Sequence, residues 1–184
     1  MKIRKGKIFA LVLGLLCSNL FAQGNPKAVL DFNVQGIKLG CSLREFLNTN
    51  RFSSEYSASS SQPEVGKKVY TSENVPNMDY CVFRFFDEKL YSVKIIYQDK
   101  TADKMGGYPA ILGKLVERYG EKFDVPEERN KDPKAVFEGS LDFPKLNRYL
   151  CTGVYQDYMY ITIIDTKIED EMENKKKANM NLGF

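Results

Sequence analysis

Two stretches of this chain alternate apolar and polar side chains with the two-residue period of a β-strand, and each doubles back on itself. In the stretch from Asp79 to Tyr97, Cys81, Phe83 and Phe85 alternate with Tyr80, Val82 and Arg84. Asp87-Glu88-Lys89 then turns the chain into a return strand on which Tyr91, Val93, Ile95 and Tyr97 are expected to share a face. Ser92, Lys94 and Gln98 fall on its other face, which predicts a sheet with one side toward water. The second hairpin joins Arg148 to Tyr155 with Tyr158 to Asp165 about Gln156-Asp157, and places Met159, Ile161 and Ile163 together. Lys68 to Thr71 reads as an edge strand and Ala135 to Glu138 as a short one.

Helical signals fall between these β regions. Ser42-Leu43-Arg44-Glu45 is a capping box: the serine oxygen accepts from a free backbone N–H while the glutamate reaches back to the cap, with Leu43, Phe46 and Leu47 as the apolar face. From Tyr108 to Tyr119, the apolar residues Tyr108, Ile111, Leu112, Leu115, Val116 and Tyr119 form one stripe at helical spacing. Pro109 suits the first helical position, where its missing N–H costs nothing, and Gly120 the position just past the end. Gly113 inside this helix marks either a close backbone approach or a tolerated surface glycine. Asp31 to Gly40 suggests a short strand feeding a turn, and serine-rich Ser53 to Lys68 a mobile loop. Glu121 to Lys134 is a charged connection. In Lys167 to Lys177, the pairs Glu171/Lys175 and Glu173/Lys177 support a solvated helix, followed by a frayed tail from Ala178 to Phe184. The sum is an α+β fold: a single domain over 23–166, with an antiparallel sheet of two hairpin regions and two helices packed on one face.

The N-terminus reads as a signal peptide over 1–22. Lys2, Arg4, Lys5 and Lys7 precede an apolar run, and Leu20-Phe21-Ala22 ends in a small residue suited to cleavage before Gln23. The run from Ile8 to Ala22 is broken by Ser18 and Asn19 and falls short of the roughly 20 residues of a spanning helix, so no spanning segment is expected after processing. The expected location is the periplasm or the extracellular space, the alternative being a lipid anchor on Cys17, which lacks a small residue before it. Removing the leader takes the basic count from 27 to 27 − 4 = 23 against 24 acidic residues, a net charge of −1. A near-neutral surface of interspersed signs lacks the basic face that nucleic acid requires, and nucleic acid is excluded as a partner. The remaining 184 − 22 = 162 residues suffice for one domain.

The chain contains no histidine, which removes Ser-His-Asp and Cys-His catalysis and H-E-x-x-H metal sites. A carboxylate pair could serve glycoside hydrolysis, but no tryptophan is present to build the usual aromatic platform. Gly107 to Lys114 misses the spacing and the Ser/Thr of a phosphate-binding loop, and Glu169-Asp170-Glu171 lacks the alternating ligands of a calcium loop. No catalytic residue, metal or cofactor is therefore assigned. After processing, Cys41, Cys81 and Cys151 remain, scattered too widely for a redox pair; they are either small buried residues or include a Cys81–Cys151 disulfide.

The one feature that suggests binding is aromatic. Tyr149, Tyr155, Tyr158 and Tyr160 cluster in the second hairpin, and Tyr91 and Tyr97 lie in the first; tyrosine is an ordinary strand residue and also one enriched at interfaces. Tyr91, Tyr97, Tyr155, Tyr158 and Tyr160 are the candidate binding residues. The segment from Gly36 to Phe46, Gly-Ile-Lys-Leu-Gly-Cys-Ser-Leu-Arg-Glu-Phe, followed by the Phe85-to-Tyr97 hairpin and the Tyr108-to-Gly120 helix, resembles small exported bacterial modules. These are the β-lactamase-inhibitor-protein-like and small outer-membrane-assembly-lipoprotein-like domains, in which a glycine-x-serine segment opens a helix on an antiparallel sheet. The resemblance covers about half of the processed chain, and the order of elements departs from the paired helices those domains place first. It implies a binding or scaffolding role and carries over no functional residue. The expectation is an exported, non-catalytic binding or scaffolding module of the bacterial cell envelope whose partner is another protein or an envelope component. The alternatives are a carboxylate-based hydrolase and a membrane-tethered lipoprotein of envelope maintenance.

Overall fold

The computed structural model describes residues 25–49, 54–55, 66–72, 75–120 and 137–181. The leader with Cys17, most of the serine-rich segment, the charged connection and residues 182–184 lie outside the described residues. Seven strands make one antiparallel sheet: β1 (Ser54–Glu55), β2 (Lys67–Ser72), β3 (Tyr80–Phe86), β4 (Lys89–Gln98), β5 (Phe137–Phe143), β6 (Arg148–Val154) and β7 (Tyr158–Asp165), in the order β1-β2-β3-β4-β7-β6-β5. The two hairpin regions join where β4 pairs with β7, from Ser92 opposite Ile164 to Gln98 opposite Tyr158. With Ser54 and Glu55 paired to Thr71 and Tyr70, β2 is an inner strand and not the edge its sequence suggests.

One face of this sheet holds the core. Cys81, Phe83 and Phe85 of β3, Leu90, Val93, Ile95 and Tyr97 of β4, and Met159, Ile161 and Ile163 of β7 are all buried there. The helices α1 (Pro26–Leu30), α2 (Leu43–Asn48), α3 (Asp99–Lys104) and α4 (Gly107–Tyr119) supply its cover. Both halves of the capping box are made on α2: Glu45 N donates to Ser42 Oγ at 3.1 Å, and Ser42 N to Glu45 Oε2 at 2.7 Å. Phe46, on this helix, meets Phe83 and Phe85 at ring-centroid distances of 5.0 Å each, a burial that contributes about 2–3 kcal/mol. On α4 the predicted stripe is the packed one, with Ile111, Leu115 and Tyr119 buried. A Cβ on Gly113 would meet nothing within 4 Å, so this glycine sits in open space and not at a close approach.

Three expectations are corrected by packing. Asp31 to Gly40 is not a strand but a run of turns after α1, closed by a single bridge between Val34 and Ile37. Of the strand expected at Ala135 to Glu138, Ala135 and Val136 lie outside the described residues, and the described strand runs past Glu138 to Phe143. A β-bulge opposite Arg84 and Phe85 inserts Tyr91 as the extra residue of β4, so Tyr91 leaves the face of Val93, Ile95 and Tyr97. Tyr91 lies on the opposite face with Phe86, under α5 (Thr166–Asn181), which buries Ile168 and half-buries Met172 against them.

This last helix is charged as expected, extends past Lys177 to Asn181, and is tied to the sheet end. Asp165 accepts from Ile168 N through Oδ1 at 3.3 Å and from Arg148 Nη1 through Oδ2 at 2.6 Å. Lys175 Nζ bonds Asp87 Oδ2 in the β3–β4 turn at 3.0 Å. No helix among the described residues is long and apolar enough to cross a membrane.

Candidate functional site

Among the described residues, the face opposite the core is covered by α5 only at the end nearest the β3–β4 turn, and its far end carries the tyrosines. Register fixes who stands beside whom. Across the sheet, Tyr80, Ile96, Tyr160, Gly153 and Glu138 form one row, and Val82, Lys94, Thr162, Cys151 and Ser140 the next. Tyr160 lies over Gly153, where a Cβ would come within 2.6 Å of its ring; the strand glycine exists to let that ring down onto the sheet. Tyr155 and Tyr158, brought together by the turn at Gln156 and Asp157, stack with centroids 4.6 Å apart and planes 6° from parallel. Tyr155 also meets Tyr160 at 6.1 Å and donates through its hydroxyl to Glu138 Oε1 at 3.2 Å.

Cations border this aromatic group. Lys94 Nζ stands 4.2 Å from the Tyr160 ring centroid, a cation–π contact. Arg84, on the neighbouring strand, places Nη1 3.4 Å from Ser92 Oγ. Burial first, and then the nearby Arg84 charge, hold the Lys94 ammonium below its usual pKa. Burial likewise pushes the Tyr160 phenol up, with Cys151, Tyr155 and Glu138 adding to it.

Two concavities flank the stacked pair. On the Tyr158 side, Tyr80, Ile96, Gln98, Asp99, Lys100 and Asp157 line a cavity of about 410 Å³. On the Tyr155 side, Tyr108, Pro109, Leu112, Phe137 and Val154 line an apolar groove of about 680 Å³. The Tyr108 hydroxyl donates to Asp99 and links the two; burial and that carboxylate raise the Tyr108 phenol above its usual range. Asp99 is placed by α3, whose entry is capped from a distance: Asp79 accepts from Gln98 N at 2.6 Å and from the Thr101 hydroxyl at 3.0 Å. Both volumes fall in the size range of ligand sites.

Of the five tyrosines singled out from the sequence, the structure brings together Tyr155, Tyr158 and Tyr160. It removes the other two from any surface: Tyr97 is 6 % exposed inside the core, where burial pushes its phenol up to about 12, and Tyr91 is 4 % exposed under α5. The Cys81–Cys151 pairing is not made. Cys81 faces the core on β3 beside Met78, whereas Cys151 is on the other face of β6, with β4 and β7 between the strands. Sequence reasoning passed over Arg84 and Lys94. Their signal is a single cation between large apolar neighbours, Phe83-Arg84-Phe85 and Val93-Lys94-Ile95, on adjacent strands.

No family model matches the chain, and neither a curated protein nor a solved structure matches it significantly. The resemblance to small exported bacterial modules therefore rests on the quoted segments alone. Among the described residues no group of three or more Cys, Asp or Glu is arranged to hold a metal ion. The groups that converge at the site are phenols, a lysine, an arginine and carboxylates, which equip it to grip a ligand by stacking, hydrogen bonds and charge.

Proposed function

We propose that the chain is an exported, non-catalytic binding module of the bacterial cell envelope. It contacts a protein or another envelope component through the tyrosine-bearing end of the open sheet face. The observation that carries this reading is the Tyr155–Tyr158–Tyr160 group, half-buried, stacked and held by Gly153 and Lys94, between two concavities. Rigid aromatics with polar tips supply contact area at low entropic cost, which is why such residues anchor interfaces. Placement outside the cytoplasm follows from the basic and apolar leader.

A photo-crosslinking amino acid in place of Tyr158, compared with one in place of Leu47, tests the reading in intact cells. Leu47 is 44 % exposed on α2, away from the open face. A discrete adduct from position 158 that is missing from position 47 is expected. Equal labelling from both, or none from 158, would overturn the proposal. Intact mass of the recovered protein decides the anchoring: a chain beginning at Gln23 is expected, and one beginning at a lipid-modified Cys17 would replace the secreted module with a tethered one.

A further inference from the structure

Among the described residues, no carboxylate pairs with the cations of the open face. Arg84 and Lys94 are partly buried neighbours on paired strands, close enough for one charge to disfavour the other. Among the described residues neither is paired with a carboxylate: the ion pairs join Lys68 to Glu88, Arg148 to Asp165 and Lys175 to Asp87. Removing a charge from water is costly without compensation, in proportion to how far it is buried, and Arg84 and Lys94 are each partly buried. Here the compensation inside the fold is limited to the Tyr160 ring and the Ser92 hydroxyl.

We infer that Arg84 and Lys94 together form the seat for an acidic side chain of a protein partner, with an apolar residue two positions along that partner entering the Tyr80–Ile96–Tyr158 cavity. The inference rests on the proposed binding role of this face and gives it a ligand chemistry. Charge complementarity selects the acid: two like charges side by side are relieved by one carboxylate accepting from both, and an Arg adds the planar fork that carboxylates prefer. Register selects the neighbour, since Ile96 is two residues along β4 from Lys94 and on the same face, about 7 Å away, the spacing of alternate residues in an extended peptide. A protein is favoured over an acidic glycan because the ring nearest the two cations, Tyr160, has its faces taken by Lys94 and by Gly153 and is not free to stack on a sugar.

A displayed library of random peptides, selected on the full chain, tests this directly. Recovered peptides are expected to share an Asp or Glu two residues from an apolar residue. In calorimetry, R84Q/K94Q should weaken their binding tenfold or more, while K176Q/K177Q on the exposed helix leaves it unchanged. Because R84Q/K94Q removes two unbalanced charges, its melting temperature should not fall, and a folded variant keeps the comparison meaningful. Peptides without a shared acid, an undiminished affinity of R84Q/K94Q, or displacement of the peptides by oligogalacturonate at equal charge concentration would overturn the inference. If the peptides lack the acid yet lose affinity in Tyr158→Ala, the inference fails and the binding face stands. If neither variant alters their binding, both fail.

Discussion

Gly153→Ala should destabilise the domain, and removing Tyr160 should reverse the sign of its effect. A Cβ at position 153 would stand 2.6 Å from Tyr160 Cε1, 2.9 Å from Cζ and 3.1 Å from the hydroxyl oxygen. Carbon atoms settle near 3.5–4.0 Å, so the ring must retreat by roughly 1 Å. It cannot do so freely, being engaged by Lys94 at 4.2 Å and by Tyr155 at 6.1 Å. Overpacking of this kind costs about 1–3 kcal/mol, and a weakened cation–π contact adds about 0.5 kcal/mol. Against this, alanine in an extended backbone gains about 0.4–1 kcal/mol through the unfolded chain, and Gly153 is not among the positive-φ glycines. The net expectation is a loss of about 1–2 kcal/mol, or about 2–8 °C in Tm. In a Tyr160→Ala background the clash is gone and G153A should stabilise by about 0.5 kcal/mol. Urea denaturation of the four proteins in this cycle reads the coupling directly. An equal effect of G153A in both backgrounds would refute the account of why a glycine occupies this strand.

Other expectations follow from single contacts. Asp165→Ala removes both the partner of Arg148 and the acceptor for the first turn of α5; with these side chains 17 % and 11 % exposed, a loss of about 3 kcal/mol is expected in denaturant unfolding, and a change below about 1 kcal/mol would refute a structural role for the pair. Hydrogen bonds from the Ser42 backbone and hydroxyl hold the Glu45 carboxyl below its usual pKa. Its contribution to α2 is therefore complete above the ordinary carboxylate range and lost as pH falls through the lowered value. Amide exchange in α2 should accelerate there, and Ser42→Ala, costing about 1 kcal/mol, should reduce that pH dependence without abolishing it, because the Ser42 N–H still donates to the carboxylate. Burial pushes the Cys81 thiol up to about 12 at 0 % exposure, so alkylation of the native protein near pH 8 should spare it. A peptide containing Cys81 linked to Cys151 would contradict the opposed faces on which these residues lie.

Local signals in the sequence transferred to the structure, and remote ones did not. The capping box at Ser42 and the stripe from Tyr108 to Tyr119 involve residues within a few positions of one another, and both elements stand where they were expected. The same holds for the alternation of Cys81, Phe83 and Phe85 and of Met159, Ile161 and Ile163. By contrast α3 has no side-chain cap of its own on Gln98; Asp79 supplies it from the bend just before β3, and no pattern around Asp99 announces the helix. Tyr91 was misplaced because a bulge breaks strict alternation, and the bulge is set by how β3 and β4 pair. At the candidate site the tyrosines of the second hairpin were legible from spacing. Arg84 and Lys94 were not, because a lone cation in a strand reads as solvated until its register neighbours prove to hold no carboxylate.

The pairing of β4 with β7 also sets an order of events. A chain emerging from its N-terminus delivers β2, β3 and β4 early, and can zip them into a three-stranded unit from local turns. The β7 side of β4, the longest strand, then stays an open edge while α3, α4, β5 and β6 are still to come. Along that edge run Val93, Ile95, Ile96 and Tyr97, an apolar β-rich stretch of the kind that recruits other strands. The long sequence separation makes closure slow, so the interval before Tyr158 to Asp165 arrives is when the molecule is most prone to pair with a wrong neighbour. Chains cut short ahead of Tyr158 should aggregate rather than persist as a smaller folded unit.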